Sequence, residues 1–495
     1  MSAINMSTLS TTISHSGIYA LSNILRWMTS IVMLPIYTRY LTPADYGVLE
    51  LLTTTIDLAA IIFGLRIGEA IFRSYERSTD LAAKNAVITT ALAVHGTTFG
   101  IGALFIALIS VPLSSIVFGS SDFAHFIRMF AVIMVLQALS EVPMVLVRAQ
   151  QRPWLFFAFS VTKLCLQVSL NVYFIVIQEL HVDGVVYGSL ISSLLYSTVL
   201  IAFTLRATRV ARPDFGMARS IVAFSLPLMV ADIGTFYLNF GDRYFLRVFS
   251  DLHELGIYAL AYKFGFILGG LVWSPFCNVW DVQKYRIHGR PDGKKVFQGT
   301  FLMLNFILIY LGFGMSLFAP EFLKLMSAKD FWPAAQIIPI VVLAYVVQVW
   351  GVFCSFGILL AGRTIQVTYA AFVAVVAITV GYVLLIPEFG GIGAATATVI
   401  AFLVRFVWVD VASRKHFDME LQWGKVVTLL GLAVFLYFIG MWLSPAELIW
   451  AIVWKCVVSA VFLGVFMLLP ILTKNQKAMV FHILKNPRSG WRMTS

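Results

Sequence analysis

Three cations lie deep inside apolar stretches that are long enough to cross a membrane: Arg26, Lys163 and Lys263. An unpaired cation at mid-bilayer costs a few kcal/mol, and such residues usually face the interior of a helix bundle or a water-filled cavity. Arg can hold a phosphate group in a fork, whereas Lys binds it as a point charge. The three cations therefore predict a hydrated cavity that binds an anion.

Polar residues inside the apolar stretches are spaced three or four residues apart, which places them on one face of a helix. Asn23 shares the face of Arg26, and Gln167 shares that of Lys163. We therefore predict that Asn23 and Gln167 bind the substrate beside the cations, in a shared and hydrated interior. The residues of these faces are Tyr19, Asn23, Arg26 and Ser30; Glu50, Thr54 and Asp57; Ser160, Lys163, Gln167 and Asn171; and Asp232, Thr235, Asn239 and Asp242.

Internal ion pairing is the alternative role for these charges. Arg26 could pair with Asp57, and Lys263 with Asp232, as bridges between neighbouring helices. The two roles are compatible, so both stay open for these residues. Lys163 has no acidic residue in its own stretch, which favours contact with the substrate.

Four other residues have separate interpretations. Arg66 lies near the end of the second stretch, where it is either a solvated interface residue or a headgroup contact. Glu141 is a candidate protonatable group that couples transport to an ion. His95 is interpreted as a packing residue rather than part of a proton relay, and Lys455 as a lipid-facing residue whose ammonium group snorkels to the membrane surface.

The composition indicates a membrane protein. Of 495 residues, 60% are hydrophobic and 12% are charged, whereas soluble domains contain about 25% charged residues. A bilayer core about 30 Å thick needs about 20 apolar residues per helix, and the chain contains about 14 such segments. We therefore predict an all-α, polytopic membrane protein. The predicted spans are 17–38, 47–68, 86–110, 126–147, 154–177, 184–205, 219–241, 255–277, 296–318, 332–360, 365–386, 391–411, 426–443 and 447–471.

Lys and Arg residues are concentrated in alternate loops. The loops of the opposite side hold only Arg39, Arg243, Arg247, Lys324 and Lys329. By the positive-inside rule this bias places both termini in the cytoplasm. The net charge of +11 then reflects topology, and its nearest partners are anionic membrane lipids. Because the charges are spread over many short loops, they argue against a nucleic-acid partner.

Signatures of enzymes are missing from the sequence. It contains no Walker A loop, no HExxH and no GxSxG motif. The predicted loops are also too short for a soluble catalytic domain. The sequence therefore predicts neither an enzyme nor a bound cofactor or metal.

The sequence contains an internal repeat. The segment RYL at 39–41 has a counterpart in RYF at 243–245, and YGV at 46–48 has one in LGI at 255–257. An even number of spans per half makes the repeat parallel, with a cleft between the halves. We therefore predict an N-lobe of residues 1–212, a C-lobe of residues 213–414, and an accessory helix pair with a basic cytoplasmic tail, residues 415–495.

The stretch from Gly17 to Tyr75 contains LPIYTRYLTP at 34–43 and YG at 46–47. It resembles the opening of bacterial polysaccharide-repeat-unit flippases, the Wzx-type O-antigen and capsule transporters. The second half fits the same family, with SLP at 225–227, DR at 242–243 and GIYALAYK at 256–263. The resemblance covers nearly the whole chain, and it identifies the family but not the sugar.

This resemblance implies the fold of the multidrug/oligosaccharidyl-lipid/polysaccharide exporter superfamily, with two six-helix lobes around a central cleft and two further C-terminal helices. It implies that undecaprenyl-pyrophosphate-linked oligosaccharides move from the inner to the outer leaflet of the bacterial inner membrane by alternating access. In related lipid-linked precursor flippases, cations on helices 1, 2 and 8 serve the headgroup, and Arg26, Arg66 and Lys263 occupy comparable helices here. A polysaccharide polymerase and assembly proteins are the protein partners that this resemblance implies.

Two other functions stay open at this point. A cation-coupled multidrug antiporter of the same fold would favour an acidic cavity, whereas the predicted cavity is mixed to cationic. A membrane glycosyltransferase or polymerase would need longer outer loops than the sequence provides.

Overall fold

The computed structural model of the protein describes residues 32–65, 67–78, 80–208 and 213–468. These residues fold into helices joined by short connections, and 12 of the helical segments are long and apolar enough to cross a membrane. The prediction of an all-α, multi-pass membrane protein is confirmed. The predicted substrate residues Asn23, Arg26 and Arg66 lie outside the described residues.

The predicted spans agree with the helices to within several residues at most ends. The predicted spans 365–386 and 391–411 correspond to two helices that meet at a kink at Gly390, within the helical stretch Ile365–Arg414 that we call α15. The backbone of Gly390 has φ 51° and ψ −127°, a conformation that glycine adopts without the steric cost of a side chain. The first predicted span, 17–38, is described only from residue 32 and is helical up to residue 40.

The helices pack into two compact units. The first unit contains the described residues up to Leu260, together with Met326–Pro333 and Ala371–Ala401. Part of its core is an apolar cluster that includes the buried residues Ile88 and Val145. The helices of the chain up to this point are α1 (Pro43–Gly64), α2 (Ile67–Arg77), α3 (Leu81–Leu108), α4 (Ser110–Phe118), α5 (Ala124–Ala149), α6 (Pro153–Val172) with a π-helical turn (Tyr173–Ile177), α7 (His181–Ala207), α8 (Phe215–Phe240) and α9 (Asp242–Phe249).

Helix α1 begins at a capping box. The Thr42 N–H donates to Asp45 Oδ2 at 3.0 Å, and the Asp45 N–H donates to Thr42 Oγ1 at 3.1 Å. Pro43 occupies the first helical turn, where its fixed φ suits a helix and its missing N–H costs nothing. The capping box fixes where α1 starts, and with it the positions of Gly47 and Glu50.

The second unit contains Ala261–Leu325, Ala334–Ala370 and the described residues from Phe402 onward. Aromatic rings fill part of its core: Trp280 stacks on Phe353 with centroids 5.2 Å apart, and Phe301 contacts both Phe353 and Trp423 at 4.9 Å. The remaining helices of the chain are α10 (Leu252–Leu268) with a π-helical turn (Gly269–Trp273), α11 (Ser274–His288), α12 (Gly293–Met326), a 3-10 turn (Lys329–Phe331), α13 (Ala334–Cys354), α14 (Phe356–Leu360), α15 (Ile365–Arg414), α16 (Trp423–Trp442) and α17 (Leu448–Leu468). Helices α10 and α15 supply residues to both units, and the 3-10 turn belongs to the first unit.

A buried ion pair joins α17 to α12. Lys455 Nζ lies 2.8 Å from Glu321 Oε1 and 2.7 Å from Glu321 Oε2. The Lys455 and Glu321 side chains are only 1% and 6% exposed. The prediction that Lys455 snorkels toward lipid headgroups is therefore wrong, because a carboxylate on the neighbouring helix holds the ammonium group inside the protein.

Candidate functional site

The predicted substrate residues that the structure describes lie on two helices. Lys163 and Gln167 are one turn apart on α6 in the first unit, and Lys263 lies on α10 in the second unit. All three side chains are partly exposed. Their contact with a substrate stays a prediction.

Gln167 belongs to a hydrogen-bonded network between α6 and α7. Its amide nitrogen donates to Ser189 Oγ at 3.0 Å, and its amide oxygen accepts from Ser192 Oγ at 2.7 Å. One turn further along α6, Asn171 Nδ2 donates to the hydroxyl of Tyr37 at 2.7 Å. The network fixes the polar face of α6, and it uses both ends of the Gln167 amide.

Lys163 lies beside an aromatic ring. Its Nζ atom is 5.4 Å from the centre of the Tyr196 ring, within the range of a cation–π contact. Tyr196 is buried, and its hydroxyl donates to Met144 Sδ at 3.4 Å. The ring is neutral, so this contact orients the ammonium group without cancelling its charge.

Asp57 is an exposed carboxylate inside a membrane-spanning helix. It lies on α1 about two turns before the end of the helix at Gly64. Thr53, one turn earlier on the same face, is also exposed. An ionisable side chain at this depth faces a water-filled space rather than lipid. Asp57 therefore indicates a hydrated wall on this face of α1, and Arg26, its predicted partner, lies outside the described residues.

A buried network of charges surrounds Arg243. Its guanidinium group donates to Glu50 Oε1 at 3.1 Å, to Asp242 Oδ1 at 2.6 Å and to the carbonyl of Asn239 at 2.9 Å. The hydroxyl of Tyr258 donates to the other oxygen of Asp242. Burial raises the pKa of Asp242, and Arg243 and the Tyr258 hydrogen bond oppose that shift.

The Arg243 network was not foreseen from the sequence, where Arg243 is only one of the loop cations. Arg243 is 1% exposed, so it contributes to packing and not to the charge of a loop. A usable signal was the repeat, because Arg243 falls at the position that Arg39 has in the first half. The polar face of the seventh span, which includes Asn239 and Asp242, was a second signal.

The first turns of α1 and α10 approach each other at two glycines. A Cβ atom added to Gly47 would overlap the carbonyl oxygen of Leu252 and lie 3.2 Å from the Gly256 nitrogen. A Cβ atom added to Gly256 would overlap the carbonyl oxygen of Pro43 and lie 3.1 Å from the Gly47 nitrogen. Each glycine thus meets the carbonyl four residues before the other, which makes the contact reciprocal. We refer to Gly47, Gly256 and their backbone neighbours as the glycine contact.

The kink of α15 is fixed by Glu254, near the glycine contact along α10. Glu254 Oε1 accepts a hydrogen bond from the Gly391 N–H at 2.7 Å, and Ser250 Oγ donates to Glu254 Oε2. A Cβ atom added to Gly390 would overlap the Glu254 carboxylate. The carboxylate therefore caps the helical segment that starts after the kink, as an N-cap side chain does.

Glu141 and His95 form a pair between α5 and α3. His95 Nε2 lies 3.3 Å from Glu141 Oε2, and the histidine is buried whereas the glutamate is half exposed. The His95 ring also packs on Phe99, with centroids 4.7 Å apart. A coupling role for Glu141 stays a prediction. In the described part of the chain, no group of three or more His, Cys, Asp and Glu side chains could hold a metal ion.

Arg405 is a further intramembrane cation that sequence reasoning missed. It lies on α15 inside the predicted span 391–411, and its side chain is partly exposed. Its position near the end of the span is also typical of a residue that snorkels to the membrane surface. Arg405 either faces the interior of the protein or extends to the membrane surface, and the packing of α15 decides between these two placements.

The sequence profile of a family described as "Polysaccharide biosynthesis protein" matches residues 14–280, more than half of the chain. No curated protein sequence matches the chain.

Several solved transporter structures are similar to this chain. The lipid II flippase MurJ, in an inward closed conformation, superposes with a TM-score of 0.71 over 92% of this chain and 98% of MurJ, at 13% sequence identity. An inward-facing multidrug resistance MATE family transporter of the MOP superfamily gives a TM-score of 0.63 over 79% of this chain and 94% of its own, at 14% identity. The MATE transporter VcmN of Vibrio cholerae gives 0.54 over 82% and 96%, at 13% identity. At such identities the likeness shows the fold alone, which this chain shares with these transporters.

Proposed function

This chain belongs to the polysaccharide biosynthesis protein family, and on that premise we propose that it is a flippase for undecaprenyl-pyrophosphate-linked oligosaccharide repeat units. It moves them across the bacterial inner membrane for the synthesis of O-antigen, capsule or exopolysaccharide. The fold supports transport, because the solved structures that share it are described as a flippase and as transporters. The protein is then not an enzyme, and a polysaccharide polymerase and assembly proteins are its partners.

The substrate has parts with opposite solvent preferences. The glycan and the pyrophosphate need water or polar groups throughout the crossing, because polar groups without hydrogen bonds are costly in hydrocarbon. The polyprenyl tail can stay in the bilayer. The observation that carries the proposal is the exposed Asp57 inside α1, which indicates a hydrated wall at membrane depth.

The predicted residues take separate roles in this scheme. Arg26, Arg66, Lys163 and Lys263 attract the pyrophosphate, because Arg and Lys are the side chains that bind phosphate oxygens. Asn23 and Gln167 contact the substrate by hydrogen bonds. Asp57, Asp232 and Glu141 couple the cycle to an ion or pair internally.

Alternating access requires two halves that separate at one side of the membrane and then at the other. We take residues 1–212 and 213–414 as these halves, with 415–495 as an accessory segment and both termini in the cytoplasm. The glycine contact joins residues of the two halves, Gly47 and Gly256, and under the proposed topology it lies toward the outer side.

The proposal is tested by measuring polysaccharide export in a strain that lacks the gene and in the same strain carrying Lys163 variants. Deleting the gene should abolish the surface polysaccharide, and lipid-linked repeat units should accumulate on the inner leaflet. Lys163→Ala should fail to restore export and Lys163→Arg should restore part of it, because only the second keeps the charge. A deletion strain with normal export, or one that lacks a glycan linkage without accumulating repeat units, would contradict a flippase.

A cation-coupled multidrug antiporter is a second candidate. Asp57 gives the first unit an exposed carboxylate, which suits an organic cation. The MATE transporters of the same fold support this alternative. The deletion strain distinguishes the two, because an antiporter predicts drug sensitivity with unchanged surface polysaccharide.

A further inference from the structure

Arg405 lies on the face of α15 that packs against the protein. Ala401 and Phe402, one turn before it, and Val409, one turn after it, are all buried. Leu403 is exposed on the opposite side of the helix. The Arg405 side chain therefore starts between buried neighbours and is only partly exposed.

The helix around Arg405 is held firmly. The ring of Phe406, the next residue, packs on Trp350 with centroids 5.8 Å apart and on Trp423 at 5.0 Å. The Cα atom of Phe406 lies 3.7 Å from a Cβ placed on Gly351 of α13. These contacts fix the direction in which Arg405 leaves the helix, so the guanidinium group is presented by a rigid element.

Among the described residues, none pairs with the charge of Arg405. The nearest acidic residue on its own helix, Asp410, is engaged by Arg414 at 2.7 Å. Lys455 differs from Arg405, because the Glu321 carboxylate contacts its ammonium group.

An arginine in this position cannot avoid the free-energy cost of burying a charge by losing its proton, because its guanidinium stays charged in proteins. An anion in contact with the exposed part of the side chain would offset part of that cost. The planar fork of five donors matches the oxygens of a phosphate group. An arginine without an internal partner inside a membrane helix is therefore poised for a mobile anion.

We infer that Arg405 binds the pyrophosphate of the lipid-linked substrate, as a contact in the second unit additional to the predicted cations. This inference rests on the proposed function for the identity of the anion. Arg405 lies nine residues before Arg414, about 13 Å along the helix from its predicted cytoplasmic end. It is therefore suited to receive the headgroup on the side where the substrate is loaded.

Ligand binding by the purified full-length protein in nanodiscs tests the inference, with undecaprenyl pyrophosphate as the probe. Arg405→Gln should weaken binding about tenfold or more, the loss expected for a charge-assisted hydrogen bond to phosphate. Arg405→Lys should keep part of the affinity as a point charge. Arg414→Gln is the matched control, because it removes the same charge from the same helix at a residue that has a partner, and it should bind as the wild type does.

Thermal melting of the same samples separates binding from structure. Arg405→Gln should melt at or above the wild-type temperature, because it removes an unpaired charge and leaves no partner behind. Melting well below wild type would overturn the inference, since it would reveal a structural partner.

Two further outcomes identify the ligand. If Arg405→Gln binds undecaprenyl pyrophosphate as tightly as wild type, Arg405 is not a substrate contact. If only co-purifying phosphatidylglycerol is lost, measured by native mass spectrometry, the anion is a membrane phospholipid and the inference also fails. Both results leave the flippase proposal intact. Failure of the wild type to bind the probe, together with normal export in the deletion strain, would instead remove the proposed function.

Discussion

Arg243 in the first unit and Lys455 in the second are both buried cations, but their partners differ. Glu321 is 6% exposed and its partner Lys455 is 1% exposed, so both side chains of that pair are buried, whereas Glu50 is 20% exposed. Arg243 also has a second carboxylate, Asp242, so it keeps a partner when Glu50 moves away. From this comparison we expect the Lys455 pair to be a permanent structural link, and the Arg243–Glu50 contact to open at limited cost.

The largest effect is expected at Lys455. Lys455→Met leaves the Glu321 carboxylate buried without a partner, which should lower stability by about 3–5 kcal/mol. Melting temperature and the amount of protein in the membrane measure the loss. The double variant Lys455→Met with Glu321→Leu should recover most of it, because neither charge then remains. A single variant as stable as the double one would mean that the pair is not a permanent link.

Substitution at the glycine contact should come next. Gly47→Ala and Gly256→Ala each place a methyl group against a carbonyl of the other helix, an overpacking that costs about 1–3 kcal/mol. Both should destabilise the closed contact and reduce export. Gly100→Ala on α3 is the control, since a Cβ there meets nothing within 4 Å. Equal export from all three variants would contradict a functional role for the contact.

A smaller effect is expected from Glu50→Gln. The amide oxygen can still accept from Arg243, so the loss should be about 1.5 kcal/mol or less, the range of a single net hydrogen bond. Hydrogen exchange of the amides in 43–50 and 252–258 should speed up, because this contact opens more often. Protein abundance should stay at the wild-type level. A fall in abundance like that of Lys455→Met would remove the distinction between the two regions.

The smallest effect is expected from Glu254→Ala. It removes the side-chain acceptor for the Gly391 N–H, and loss of such a cap typically costs about 1 kcal/mol. Faster hydrogen exchange should be confined to the start of the segment after the Gly390 kink. Glu254→Gln should behave more like wild type, because its amide oxygen can still accept the bond. Exchange that rises throughout α10 as well would show that Glu254 supports more than this cap.

The sequence predicts the helices well because membrane spans carry a simple signal, a long apolar run. It also predicts that 365–386 and 391–411 are two spans, because Pro387, Glu388 and the glycines after it interrupt the apolar pattern, and the helical backbone breaks at Gly390. Side-chain partners are harder to predict. Lys455 and Glu321 are 134 residues apart, and apolar periodicity carries no information about which helices touch.

The candidate site is predicted only in part for the same reason. Spacing places Lys163 and Gln167 on one face of α6, and the structure agrees with that placement. Spacing does not reveal that Ser189 and Ser192 occupy both ends of the Gln167 amide, or that Arg405 starts from a buried face. Those facts depend on packing between helices.

The Lys455–Glu321 pair also has a consequence for how the protein is made. Glu321 is synthesised 134 residues before Lys455, which corresponds to roughly ten seconds at typical rates of translation. During that interval α12 enters the membrane with a carboxylate whose lysine does not yet exist. We therefore expect α12 to be less stable in the membrane until α17 is inserted, and a chain that stops short of Lys455 to be less stable than the full-length protein.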